Sequence, residues 1–172
     1  YFINAIMDEV INNLSRIEDF SKVLPRTSVE QFREKNIPPV PEIAKKLSVN
    51  YIVQGSGQKY GNKFILRVQL IAAKNEKHLW VKSYNREIKQ PSDIINIQSE
   101  IAKSIAGELE TTITPEEKQL INKIPTTSLT AYDFYQQGRE EHTKYWNNNS
   151  NKAALQKAEV LYHKSLKYDS TF

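Results

Sequence analysis

The chain contains no cysteine among its 172 residues, which excludes disulfides, thiol nucleophiles and thiolate metal sites. Cysteine-free chains occur in cytoplasm and periplasm alike, so the compartment stays open. No run approaches the roughly eighteen consecutive apolar residues of a membrane helix, and no membrane insertion by this segment is expected. The chain lacks an initiator Met, a basic n-region and a cleavage site, so no targeting segment is legible. Its opening, "YFINAIMDEVI", already reads as the interior of a folded element, and an upstream portion is expected.

The chemistry of common active sites is missing as well. No serine sits in an elbow motif, and no paired acids suggest two-metal chemistry. Glu116-Glu117 and Glu140-Glu141 are adjacent in helical stretches, so each pair projects about 100° apart and makes a poor acid–base dyad. His142 and His163 fall on separate helices, with no carboxylate at zinc-ligand spacing. Gly55-Ser56-Gly57 is not followed by a helix start with a lysine, so it is read as a close backbone approach or bulge in a strand instead of a phosphate loop. We therefore expect no catalytic residue, no metal and no cofactor. The net charge of +4 is scattered along the chain, which suits a solvated surface and not direct nucleic-acid binding.

What is present is a well-marked series of elements. Ile3, Ile6, Val10, Leu14 and Ile17 recur at helical spacing. "SKVLPRTSVEQF" is rich in β-branched residues and predicts a short strand interrupted near Pro25; "IPPVPEIAKKLSV" predicts a short second helix. Three strands follow, the first two joined at Gly61-Asn62, with Phe64, Leu66, Val68 and Leu70 on one face of the second. From about Ser92 to Glu110, Ile94, Ile97, Ile101, Ile105 and Leu109 form a helical stripe with Ser92 as the expected cap. Thr114, Pro115 and Glu117 predict a capping box. Beyond the break "KIPTTS", residues 129–145 and 153–168 read as two helices separated by "WNNNSN". The fold class is α/β (α+β): a mixed, largely antiparallel sheet packed by helices, then a helical hairpin.

In order and spacing, "YFINAIMDEVINNLSRI", "PRTSVEQF", "EIAKKLSVNYIVQGS", "RVQLIAAKNEKHLWVKSYNREI" and "IQSEIAKSIAGELE" resemble the TolB-amino-terminal-like domain of bacterial regulators. "TPEE" and "AYDFYQQGR" resemble the lead into tetratricopeptide (TPR) repeats, with Gly138 on the first helix and Ala158, Tyr162 and Ser165 on the second in the repeat's small and aromatic positions. The resemblance divides the chain into 1–112, a TolB-like domain without its usual first strand; 113–128, a helical linker; and 129–172, a first TPR-like hairpin. It departs from the repeat at Ser170, where proline is usual, and in the long spacing from Gly138 to Ala158. The missing first strand leads us to expect an uncovered sheet edge.

The resemblance implies a portion of a larger bacterial regulator, with a winged-helix or nucleotide-cyclase domain elsewhere and any enzymatic activity residing there. It favours the periplasmic side of a membrane-anchored protein, with the cytoplasm as alternative. The function expected first is a non-catalytic sensor and protein- or peptide-binding scaffold. Its interface would comprise Gly138, Leu155, Ala158, Leu161, Tyr162, Ser165 and Leu166, and an exposed stripe of Leu155, Leu161, Tyr162 and Leu166 is expected to self-associate or to leave its helix mobile. The alternative is a small-molecule sensor. Its candidate surface is His78, Trp80, Tyr84 and Arg86, which alternation places on one strand face, although Trp80 and Tyr84 equally suit packing under a helix.

Overall fold

A computed structural model of the chain describes residues 2–32, 37–147 and 151–172. In chain order the elements are α1 (Phe2–Ser15), α2 (Thr27–Glu30), α3 (Val40–Leu47), β1 (Tyr51–Tyr60), β2 (Lys63–Ala72), β3 (Lys77–Glu87), α4 (Pro91–Glu108), α5 (Pro115–Asn122), α6 (Leu129–Asn147) and α7 (Lys152–Tyr168). Of the polar segment expected between the last two helices, residues 148–150 lie outside the described residues.

The three strands form an antiparallel meander in the order β1-β2-β3. Tyr60 pairs with Lys63 across a two-residue turn in which Gly61 adopts φ +57°, a conformation that costs glycine little. Strict alternation along β2 sends Phe64, Leu66, Val68 and Leu70 to one face, where all are fully buried. α1 and α4 cover that face, and Ile6, Val10, Ile97, Ile101 and Ile105 complete the core. The opposite face carries Arg67, Gln54 and Gln69, the last two amides bonded at 2.5 Å, and it remains in solvent. One sealed face and one wet face is the usual arrangement of such a sheet. The Gly55-Ser56-Gly57 stretch lies within β1, and a Cβ at Gly57 would stand 2.1 Å from the Ile65 carbonyl oxygen, so a close backbone approach requires glycine there.

Two local expectations are corrected. No strand forms in residues 21–32, where Thr27–Glu30 makes one helical turn instead. Pro25 has no N–H to give to a ladder, and its carbonyl accepts from Ser28 at 3.0 Å to start the turn. Ser92 does not cap α4; the Asp93 carboxylate accepts from the N–H groups of Lys89 (2.8 Å) and Gln90 (3.0 Å) at the helix start. The expected box at α5 forms, with Thr114 N–H donating to Glu117 at 2.7 Å and Glu117 N–H donating to the Thr114 hydroxyl at 3.2 Å. The other Glu117 oxygen takes the Glu18 N–H at 2.9 Å. These backbone donors, Glu18 first and Thr114 next, hold its carboxyl below the usual range.

α5 lies on α4, where Ser99 donates to the Ile121 carbonyl at 2.7 Å. α6 then runs back against α1, and α7 packs antiparallel on α6. Asn151 caps α7 by accepting from Ala153 and Ala154. Despite Ser170 in place of proline, α7 ends at Tyr168. Asp169 leaves the helix in an extended conformation and accepts from the Thr126 hydroxyl at 2.6 Å.

Candidate functional surfaces

The hairpin is built from small residues facing each other. Ala131 and Gly138 of α6 meet Ala154, Ala158, Leu161 and Ser165 of α7, all of them buried. Ser165 donates to the Ala131 carbonyl at 2.7 Å, which secures the crossing. Gly138 is needed because the Tyr162 ring lies where a side chain would project; a Cβ there would fall 2.6 Å from the ring. Tyr162, half-buried, tilts against Tyr135 with centroids 6.0 Å apart, and Phe172 meets Tyr135 edge-on at 4.8 Å.

The expected stripe on α7 divides. Leu161 is 8% exposed and faces α6, whereas Leu155 and Leu166 are 40% and 43% exposed and face solvent. Leu161 is therefore corrected from the exposed set to the buried seam, since residues 154, 158, 161 and 165 repeat at the spacing of one helix face. Tyr162 borders a groove with Tyr135, Arg139, His142, Thr143 and Trp146. The His142 and Trp146 rings lie tilted to each other with centroids 6.3 Å apart, and Trp146 is 69% exposed. Residues 135, 139, 142 and 146 lie at helical spacing on α6, a periodicity that the sequence carries and that the expected interface omitted.

α6 is sewn to the α/β layer by charge. Arg26 is buried and bonds Asp8 of α1 (2.9 Å), Glu30 (3.1 Å) and Glu140 of α6 (3.4 Å). Burial opposes its charge, but Asp8 above all, then Glu140 and Glu30, outweigh it and raise the guanidinium pKa above its ordinary value. Arg139 pairs with Glu9 of α1 close by. Inside, Gln98 of α4 donates to the Tyr132 hydroxyl at 3.1 Å. Burial pushes the Tyr132 phenol up to about 12, and the Gln98 bond only partly offsets it.

The β3 constellation is not one surface. β3 pairs Trp80 with Leu70 but His78 with Ile71, leaving an irregularity at Leu79. That extra residue inverts the alternation, so His78 faces away from Trp80, Tyr84 and Arg86. His78 and Arg86 are exposed, Trp80 is half-buried and Tyr84 is buried. The Tyr84 hydroxyl points to Glu100 of α4 at 3.5 Å, while Lys82 pairs with Glu100 and lies over the Tyr84 ring at 5.4 Å. Burial first, then the Glu100 carboxylate, raises the Tyr84 phenol far above its ordinary value.

Among the described residues, no group of three His, Asp or Glu gathers to hold a metal, and no helix is long and apolar enough to cross a membrane.

Similarity to known proteins covers both regions. The family model for the second domain of HilA/YgeH-like transcriptional regulators matches residues 3–104, the segment from α1 into α4. "Putative adenylate cyclase 3" of Rhizobium meliloti (strain 1021) is 24% identical over 169 residues, covering 98% of this chain. The chain spans about a quarter (27%) of that relative's length. No solved structure matches.

Proposed function

The chain belongs to the HilA/YgeH-like transcriptional-regulator family through its second domain, and from that premise we propose a non-catalytic sensor and protein-interaction portion of a bacterial signalling or transcription-regulatory protein. In this reading residues 1–112 are a TolB-like α/β unit, 113–128 a helical linker and 129–172 a TPR-type hairpin that takes a protein or peptide partner. The similarity to a cyclase-type relative supports placement beside an effector domain. Catalysis would belong to that domain. The periplasmic side remains the favoured compartment.

One observation carries the reading. α7 buries its small-residue face on α6 yet leaves Leu155 and Leu166, with Val160 (53%) and Tyr168 (59%), open to solvent. Helical repeats bury such flanks against neighbouring helices or a bound chain. Selecting displayed peptides on the 172-residue chain tests this. Binders are expected to be amphipathic and to lose affinity at least about tenfold against the Leu155→Glu/Leu166→Glu double variant. Both positions are exposed, so that variant is expected to keep its melting temperature. Peptides indifferent to both changes, together with a monodisperse monomer strongly protected from hydrogen exchange across α7, would overturn the reading.

The second reading is small-molecule sensing at Trp80, Tyr84 and Arg86, with His78 apart. Half-buried Trp80 lies opposite Leu70 and exposed Arg86 opposite Phe64, with buried Tyr84 between them, so any aromatic or anionic ligand there would meet Trp80 and Arg86 at separate points along β3.

A further inference from the structure

α1 and α4 seal one face of the sheet but leave its edge at β3 open, since among the described residues no strand lies beyond it. The Ile88 N–H donates to the Asn62 carbonyl at 2.6 Å, and β3 runs beside β2 in one register from Trp80 to Glu87. In an antiparallel ladder, residues alternate in turning their backbone groups toward the neighbouring strand and away from it. Trp80, Lys82, Tyr84 and Arg86 therefore turn theirs to β2, and Val81, Ser83 and Asn85 turn theirs outward. These last three are exposed, and the Asn85 carbonyl accepts from the adjacent Arg86 guanidinium at 3.1 Å.

An open edge is a template for another strand, and proteins often blunt it with a lysine or a bulge. β3 has both, in Lys82 and the irregularity at Leu79, and together they leave one register that suits a second copy of the same strand. A strand that meets its own copy about a twofold axis does so antiparallel, and the residue on the axis sets every other pair. Centred on Lys82, the pairing opposes two lysines. Centred on Tyr84, it opposes Lys82 to the second copy's Arg86. Registers further out run into the bulge at Leu79 or off the end of β3 at Glu87. Centred on Ser83, Trp80 stands opposite the second copy's Arg86, Lys82 opposite its Tyr84 and Val81 opposite its Asn85. Each cation then faces an aromatic residue on one side of the joined sheet. Lys82 lies diagonally from the second copy's Arg86, but Glu100 matches its charge. The other edge, β1, carries Gly55 and Gly57 and offers fewer side chains for such pairs.

We propose that two copies of this chain pair through β3 about a twofold axis at Ser83, joining their sheets into one continuous antiparallel sheet. The pair is closed, because each copy spends its β3 edge on the other. A contact confined to one strand belongs with the weak encounters below about 1,200 Å², so it gains most where longer chains hold these domains side by side. This goes beyond the interaction role above, which rests on α7, and does not depend on it.

The lack of cysteine makes the register directly readable. Residues facing each other at the axis have Cα atoms about 5.5 Å apart, within disulfide reach, whereas Val81 and Asn85 would each stand about 13 Å from their own counterparts. In a glutathione redox buffer, Ser83→Cys is expected to form a covalent dimer at least about tenfold faster than Val81→Cys or Asn85→Cys. In the unaltered chain, amide exchange at residues 81, 83 and 85 is expected to slow as concentration rises toward about 1 mM, with residues 82 and 84 unchanged. Val81→Pro removes an outward N–H, spares the ladder to β2 and is expected to abolish that concentration dependence. Should it fail to fold, Arg86→Ser, at an exposed position, is expected to weaken the dimer at least about fivefold, since each pair loses two cation–aromatic contacts. Cross-linking no faster at Ser83 than at its neighbours, or exchange at residues 81, 83 and 85 indifferent to concentration, would overturn the proposal. So would loss of the Ser83→Cys cross-link when Leu155→Glu and Leu166→Glu are added, because the contact would then lie on α7.

Discussion

The sheet with its two helices and the terminal hairpin solve the burial problem in opposite ways. Under the sheet, large branched side chains close the space completely: Phe64, Leu66, Val68 and Leu70 meet Ile101 and Ile105, and none is more than 2% exposed. In the hairpin, Gly138, Ala131, Ala154, Ala158 and Ser165 let the helices approach, Leu161 joins them in the seam, and Leu155, Val160 and Leu166 lie outside it. Large residues at an interface fill one enclosed core. Small ones bring helices together and leave their outer flanks greasy. The first region is a finished unit, and the second offers a surface.

Truncation at the centre of the sheet core gives the largest expected effect. Ile101→Ala leaves a cavity beneath β2 and is expected to cost about 3 kcal/mol, measured by urea unfolding. A cost near that of an exposed leucine would mean the core is not the finished unit described. Next comes the joint between the regions. Arg26→Met strands Asp8 and Glu140 at a half-buried seam, and a loss of about 3 kcal/mol is expected. Hydrogen exchange should show α6 losing protection before β2, whereas uniform loss would mean that the two regions open as one.

Gly138→Ala acts within the hairpin. The added methyl must displace the Tyr162 ring, and a loss of about 1–2 kcal/mol is expected, with exchange rising in α7 and unchanged in β2. The smallest effect is on pH dependence. Glu117 has its carboxyl held low by backbone donors, so its contribution is complete above the ordinary glutamate value of about 4.3 and is lost as pH falls through its lower folded value. Wild-type melting temperature is expected to fall more steeply than that of Glu117→Gln between about pH 5 and pH 3. Parallel curves would show that the α5 box does not couple to stability.

Elements governed by near neighbours along the chain are legible in the sequence. The α5 box needs only Thr114, Pro115 and Glu117 within four positions, and the β2 face needs only alternation. The helical hairpin follows from small and apolar residues recurring at the spacing of one turn. The failures share a different cause. The strand expected in residues 21–32 is overridden by Pro25 and by Arg26, whose partners Asp8 and Glu140 lie far along the chain. The single face assigned to His78, Trp80, Tyr84 and Arg86 is broken by one extra residue, Leu79, whose position depends on pairing with β2. Leu161 and Leu166 look alike in a helical stripe, and only the packing of α6 decides which is covered.

Local periodicity and cap chemistry thus determined the elements, their order and the antiparallel hairpin, because a turn of helix or a strand pair reads residues a few positions apart. Tertiary structure alone decided the β3 register, the charge cluster at Arg26 and the Gln98–Tyr132 bond, because each depends on groups brought together from distant parts of the chain.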